Sequence, residues 1–164
     1  MTKPSVYIET SIISFLTSRR SWDLSILWYQ QTTREWWENC REDYHLHISN
    51  VVYNEIALGD SSASALRLEA VRGIELLHTT QQAKDLAQKL LDAHSLPAKA
   101  TTDALHIALA AYYDMDFLLT WNCKHIANPM TERLFEKIIT QNGYRYPVIT
   151  TPANFYPSGE EDEL

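Results

Sequence analysis

Apolar and polar positions along this chain follow two periods. Short runs rich in β-branched and aromatic residues, 5–8, 45–49, 74–77, 117–120 and 148–150, read as strands. Between them lie longer stretches with helical spacing. Thr10 or Ser11 suits the cap of a helix after the first strand, interrupted at Arg19, Arg20 and Ser21. Asp23 caps a long helix over 24–41, which carries Trp28, Trp36 and Trp37. Asn50 suits the cap of a short helix over 51–58, stopped by Gly59, and Asp60 starts another that Gly73 stops. Thr79 or Thr80 caps 82–94, and Pro97 opens a helix running to about Tyr113. Asn128 and Pro129 open the last helix, and Gly143 closes it.

Strands alternating with helices imply parallel strands and right-handed crossovers, hence a three-layer α/β/α fold with a central parallel sheet. The chain shows no internal repeat and no linker. Its 164 residues suit one domain, expected over 1–156. The end, 157–164, is acidic and reads as disordered.

This architecture decides where the acids fall. Ligands of such sheets sit beyond the carboxyl ends of the strands, near the point where strand order reverses. Glu9 follows the first strand, and Glu55 lies in the first turns of the helix leaving the second. Two helices separate the third and fourth strands, so the N-terminal half of the second, with Asp103, is expected at that same edge. Asn122 leaves the fourth strand there as well. Each acid alone is explained by helix capping or by the helix dipole. Four converging oxygen side chains are another matter, because carboxylates repel unless a cation neutralises them. Hard oxygen donors without Cys or His spacing favour Mg²⁺ or Mn²⁺ over Zn²⁺. The fitting chemistry is phosphodiester hydrolysis by a metal-activated water.

Charge and composition narrow the partners. A net charge of −7 opposes non-specific nucleic-acid binding through a basic surface, though a bound metal supplies local positive charge. The two cysteines, Cys40 and Cys123, lack metal-type spacing and read as reduced thiols of a cytoplasmic protein. No signal peptide and no membrane-spanning stretch is expected. Five Trp and nine Tyr point to aromatic packing or a subunit interface, and a homodimer is expected. Trp36 and Trp37 are adjacent on one helix, so they cannot both face the core.

Four segments, VYIETS, NVVYNEIALG, TTDALHIALA and LLTWNCKHIAN, resemble the PIN-domain family, in particular VapC-like toxins of type II toxin–antitoxin pairs. The resemblance runs from VYIETSIISFL to VITTPANF. It implies metal-dependent endoribonuclease activity with 5′-phosphate and 3′-hydroxyl products, a homodimer and a small cognate antitoxin. The family's acids match Glu9, Glu55 and Asp103, and the acid after the fourth strand matches Asn122. Two departures stand out. Glu9 is one methylene longer than the usual Asp, and Asn122 offers a neutral carbonyl where a carboxylate is usual. The rival reading is a PIN module without catalysis that binds nucleic acid or a partner protein.

Secondary candidates surround these four. Thr10 and Ser11 would position a metal-bound water or simply cap a helix, and Thr120 would orient Asn122. His106, one turn past Asp103, reads as a supporting core histidine, and His125 as a solvated loop residue. Lys99, Lys124, Arg19 and Arg20 are candidate phosphate contacts, with Thr10 a further substrate contact. Trp121 suits packing beneath its loop better than base stacking.

Overall fold

The structure is a computed structural model describing residues 2–94 and 100–156. Lys99, Pro97 and the acidic stretch 157–164 lie outside the described residues. The elements run β1 (Ser5–Ile8), α1 (Thr10–Thr17), α2 (Leu24–Asn39), β2 (His45–Ser49), α3 (Asn50–Ile56), α4 (Ser61–Ala70) and β3 (Glu75–Leu77). They continue with α5 (Gln81–His94), α6 (Thr101–Tyr112), β4 (Phe117–Leu119), α7 (Pro129–Gln141) and β5 (Val148–Thr150).

All strand pairs are parallel, in the order β3-β2-β1-β4-β5. Helices α5, α6 and α7 pack together, as do α1, α2, α3 and α4, giving the three-layer α/β/α arrangement. The sequence order reverses at β1, which lies between β2 and β4. The register pairs Ile8 with Leu119, and the Glu9 amide continues the ladder by donating to the Leu119 carbonyl at 3.1 Å. Glu9 is thereby set level with Thr120 at the carboxyl edge.

The cores differ on the two faces. On one, Trp36 of α2 stacks on Phe155 at 5.7 Å, and Phe155 meets Phe117 and Tyr44. Trp36 is fully buried, whereas Trp37 only borders the core and carries the Arg41 guanidinium 4.4 Å above its ring. On the other face α5 buries Ala83, Leu86, Ala87, Leu90 and Leu91, an i, i+3, i+4 stripe. Helix α6 lies between that stripe and the sheet, and every residue from Ile107 to Ala111 is buried. A helix buried on nearly all sides cannot shift without opening the core, so it holds Asp103 rigidly.

Helix starts depart from expectation in two places. Glu9, not Thr10 or Ser11, caps α1, and its side chain accepts from the Ser11 amide. Ser49, not Asn50, caps α3. The Asn50 carbonyl instead accepts from the amide and hydroxyl of Thr79, tying the exits of β2 and β3 together. Gly59 and Gly143 end their helices at φ of +87° and +86°, a left-handed conformation that side chains resist.

At the opposite edge Asp116 joins the start of β4 to that of β1. It accepts from the amide and hydroxyl of Ser5 and from Arg145. The Ser5 amide bond, chiefly, and the Arg145 guanidinium hold its carboxyl below the usual range against a smaller burial effect. A depressed folded pKa stabilises above the unfolded value and loses that contribution as pH falls through the folded value. Asp116→Asn should therefore cost about 1 kcal/mol at neutral pH, allowing for the partial exposure of the pair. The gap from the parent should close below about pH 4. Urea unfolding at neutral and acid pH checks this; a gap that widens on acidification would contradict it.

Candidate active site

The carboxyl edge of β1, β2 and β4 gathers the predicted acids. Glu9 is buried, 5% exposed. Its Oε2 accepts from the Ser11 amide at 3.0 Å, from the Ser11 hydroxyl, and from the Thr120 hydroxyl at 2.8 Å. The Ser11 hydroxyl oxygen in turn accepts from the Trp121 amide, and that of Thr120 from the Asn122 amide. Thr120 thus orients both Glu9 and Asn122, and the turn after β4 is bound to the start of α1.

Glu55 has partners of its own. Its Oε1 lies 2.7 Å from the Thr10 hydroxyl and 2.7 Å from His106 Nε2. His106 Nδ1 meets the Tyr7 hydroxyl at 2.7 Å, and that hydroxyl meets Ser49 Oγ at 2.7 Å. Burial pushes the Glu55 carboxyl up, but the hydrogen bonds from His106 and Thr10 outweigh it, leaving the pKa below normal. Burial chiefly pushes the Tyr7 phenol far up, so it keeps its proton. One assignment of hydrogens satisfies every member. Ser49 accepts from the Val52 amide and donates to Tyr7, Tyr7 donates to His106 Nδ1, and Nε2–H donates to Glu55. His106 is therefore a supporting residue, as its place one turn after Asp103 suggested.

Asp103 occupies the first turn of α6. Its Oδ2 lies 2.8 Å from His125 Nδ1 in the loop after β4. His125 is thus not a free loop histidine. Its amide also donates to Asn122 Oδ1 at 3.0 Å, so the Asn122 carbonyl caps its own turn. The Asn122 backbone carbonyl accepts from Ile126 and Ala127.

Three carboxylates share a pattern. Each commits one oxygen to protein donors: Glu9 Oε2, Glu55 Oε1 and Asp103 Oδ2. Among the described residues the second oxygen of each takes no protein hydrogen bond. Partners that fix one oxygen and leave the other free are what orient monodentate carboxylate ligands. The donors are all hard oxygens, which fits Mg²⁺ or Mn²⁺. The acids are not drawn into one tight trio, however. Among the described residues only His45, His47 and Glu75 bring three such ligand atoms within 4.8 Å of one another. An ion held by the edge acids would complete its shell with water, as Mg²⁺ commonly does.

The other candidates divide. Thr10 sits in the site through Glu55. Lys124 is exposed in the loop between Asn122 and Asn128. Arg19 and Arg20 are exposed beyond the far end of α1, about 12 Å of helix away from Glu9. Trp121 packs rather than projects: its Nε1 donates to Thr33 Oγ1, and its ring meets Trp28 and Tyr29 edge-on.

A model of the PIN domain matches residues 6–122, a span that contains Glu9, Glu55, Asp103 and Asn122. The chain belongs to the PIN domain family. This nuclease family accounts for the parallel sheet and for acids at its carboxyl edge. Among solved structures the chain is similar to VapBC2 from Rickettsia felis bound to a DNA fragment from its promoter. That match has a TM-score of 0.58 and 13% identity, covering 90% of this PIN chain and 98% of the other. It is also similar to VapC20 from Mycobacterium tuberculosis, a Sarcin-Ricin loop cleaving toxin. There the TM-score is 0.57 and identity 14%, with 85% and 95% covered. VapBC-1 from nontypeable Haemophilus influenzae matches at TM-score 0.55 and 16% identity, over 91% and 98%. At these identities the likeness is one of fold. No curated protein matches. Among the described residues no helix is long and apolar enough to cross a membrane.

Proposed function

We propose that this PIN domain, spanning 1–156, is a Mg²⁺- or Mn²⁺-dependent endoribonuclease and the toxin of a cytoplasmic toxin–antitoxin pair. The observation that carries the reading is the set of pre-oriented carboxylates, Glu9, Glu55 and Asp103, each with one oxygen free of protein bonds among the described residues at the same sheet edge. A divalent ion bound there would acidify a coordinated water and neutralise charge developing on a phosphodiester. The chain's own groups do the rest. Glu9 is locked by Ser11 and Thr120, so its free oxygen has one position. His106, backed by Tyr7 and Ser49, holds Glu55. His125 holds Asp103, whose free oxygen, like that of Glu9, is placed to take a proton from an attacking water. Lys124 flanks the edge as a donor for substrate phosphate and Lys99 is a second candidate, whereas Thr10, whose hydroxyl proton goes to Glu55, borders the edge without serving as a phosphate donor. The test is metal-dependent cleavage across a panel of structured RNAs. Cleavage with Mn²⁺ or Mg²⁺ and none in chelator supports the reading; no cleavage with either metal contradicts it.

A non-catalytic PIN module is the second reading, favoured by one observation: Asn122 carries no charge and uses its carbonyl on the His125 amide. Asn122→Asp separates the two. The new carboxylate can still cap the turn through one oxygen and offer the other to a metal. Mn²⁺ affinity should rise by roughly tenfold. Turnover need not rise, since added charge also repels RNA phosphate. Calorimetry showing unchanged or weaker Mn²⁺ binding would favour the non-catalytic module.

The apolar surface supports a homodimer and an antitoxin partner. Trp22, Leu24 and Trp28 are exposed together at the start of α2. Light scattering at high micromolar concentration should give twice the chain mass, and a monomer mass would contradict the dimer.

A further inference from the structure

A second cluster lies at the amino end of the sheet, away from the acids. His45 and His47 are two apart on β2, so they face the same way, and their rings lie 4.4 Å apart. Glu75, at the start of β3, is paired directly with His47 in the ladder. His45 Nε2 and His47 Nε2 each lie 3.2 Å from the same oxygen, Glu75 Oε2. His47 Nδ1 is 3.1 Å from the His45 carbonyl oxygen. A carbonyl only accepts, so Nδ1 carries the proton and Nε2 of the neutral ring turns a lone pair toward Glu75. A lone pair aimed at a carboxylate repels it unless a proton or a cation joins them, and here both Nε2 atoms and Glu75 Oε2 converge on one point. A second-layer bond that fixes the tautomer in this way is usual for metal-binding imidazoles.

We propose that His45, His47 and Glu75 bind a divalent transition metal of the Zn²⁺ class and clamp edge strand β3 to β2. Two nitrogens and a carboxylate select Zn²⁺, Co²⁺ or Ni²⁺ rather than Mg²⁺. The spacing fits: bonds of about 2.0 Å in a tetrahedron give edges of roughly 3.3 Å, and both N···O distances are 3.2 Å. One ligand, His47, is buried, while His45 and Glu75 are more than half exposed, which leaves the fourth position to water. An open hollow lined by Arg41, Glu42, Tyr44 and Gly73 adjoins it. The Arg41 guanidinium is engaged over Trp37 and near Glu42, so it does not claim Glu75. The site uses none of the carboxyl-edge acids and stands apart from the nuclease reading.

The test uses the full chain without a histidine tag, titrated calorimetrically with Zn²⁺ and spectroscopically with Co²⁺. Running both on the Asp103→Asn variant as well keeps the carboxyl-edge acids from being mistaken for this site. One Zn²⁺ per chain is expected in parent and Asp103→Asn alike, with the visible absorption of tetrahedral Co²⁺. Saturating Zn²⁺ should raise the Tm by roughly 5 °C. His45→Asn and Glu75→Gln, both at exposed positions, should each weaken Zn²⁺ at least about tenfold and remove the Tm rise. Either variant binding like the parent, or a parent that binds no Zn²⁺, would overturn the proposal in favour of a proton-bridged histidine–carboxylate cluster.

Discussion

Asp103→Asn is expected to lower metal-dependent RNA cleavage on the order of 10³-fold, while the protein stays folded. The amide keeps the shape of the side chain, and its oxygen can still face His125 Nδ1. It removes the negative charge that would hold a cation and the oxygen able to accept a proton. The fold does not depend on that charge, because α6 is anchored by its buried apolar residues rather than by Asp103. Cleavage of the best RNA in the panel, compared between parent and variant at equal urea midpoints, checks this. A variant that cuts as well as the parent would remove Asp103 from the site and with it the nuclease reading.

Glu9→Ala is expected to have the largest effect on stability of any single change at the site, roughly 2–4 kcal/mol. Its carboxylate caps α1 and receives the hydroxyls of Ser11 and Thr120 in a buried setting. Alanine strands those donors and loosens the tie between β1 and the turn after β4. Relief of repulsion from the neighbouring acids offsets part of the loss. Glu9→Gln keeps an acceptor oxygen and should cost less, yet should weaken Mn²⁺ as much as the alanine variant. Urea denaturation of the three proteins, with Mn²⁺ binding in parallel, checks both halves. A Glu9→Ala protein as stable as the parent would mean that the Thr120 bond contributes nothing. The Glu9 carboxylate reaches the Thr120 hydroxyl across the strand pair at 2.8 Å.

Much of this was legible in the sequence. The five strands and their order of appearance follow from short apolar runs between capped helices. The edge holding Glu9, Glu55, Asp103 and Asn122 follows from parallel topology alone. Contacts that depend on pairs distant in sequence did not follow. The cap of α1 looked like a choice between Thr10 and Ser11, because hydroxyls are the common cap. Glu9 takes that role with support from Thr120, 111 residues away. His125 looked like a solvated loop residue because its partner, Asp103, sits on another element. The Tyr7–Ser49 link was within reach, since both lie on strands whose alternation turns them to one face, but the register between β1 and β2 had to be known. The same holds for His45, His47 and Glu75: the HLH alternation shows two imidazoles on one face, and only the β2–β3 pairing supplies the carboxylate.

The free oxygens of Glu9, Glu55 and Asp103 are proposed to hold a divalent cation. Anomalous diffraction from crystals soaked in Mn²⁺ tests this most directly. A Mn²⁺ peak is expected at the carboxyl edge between β1 and β4, about 2.2 Å from at least two of those carboxylates, with waters completing the shell. A peak confined to His45, His47 and Glu75, or none at the carboxyl edge at saturating Mn²⁺, would contradict it.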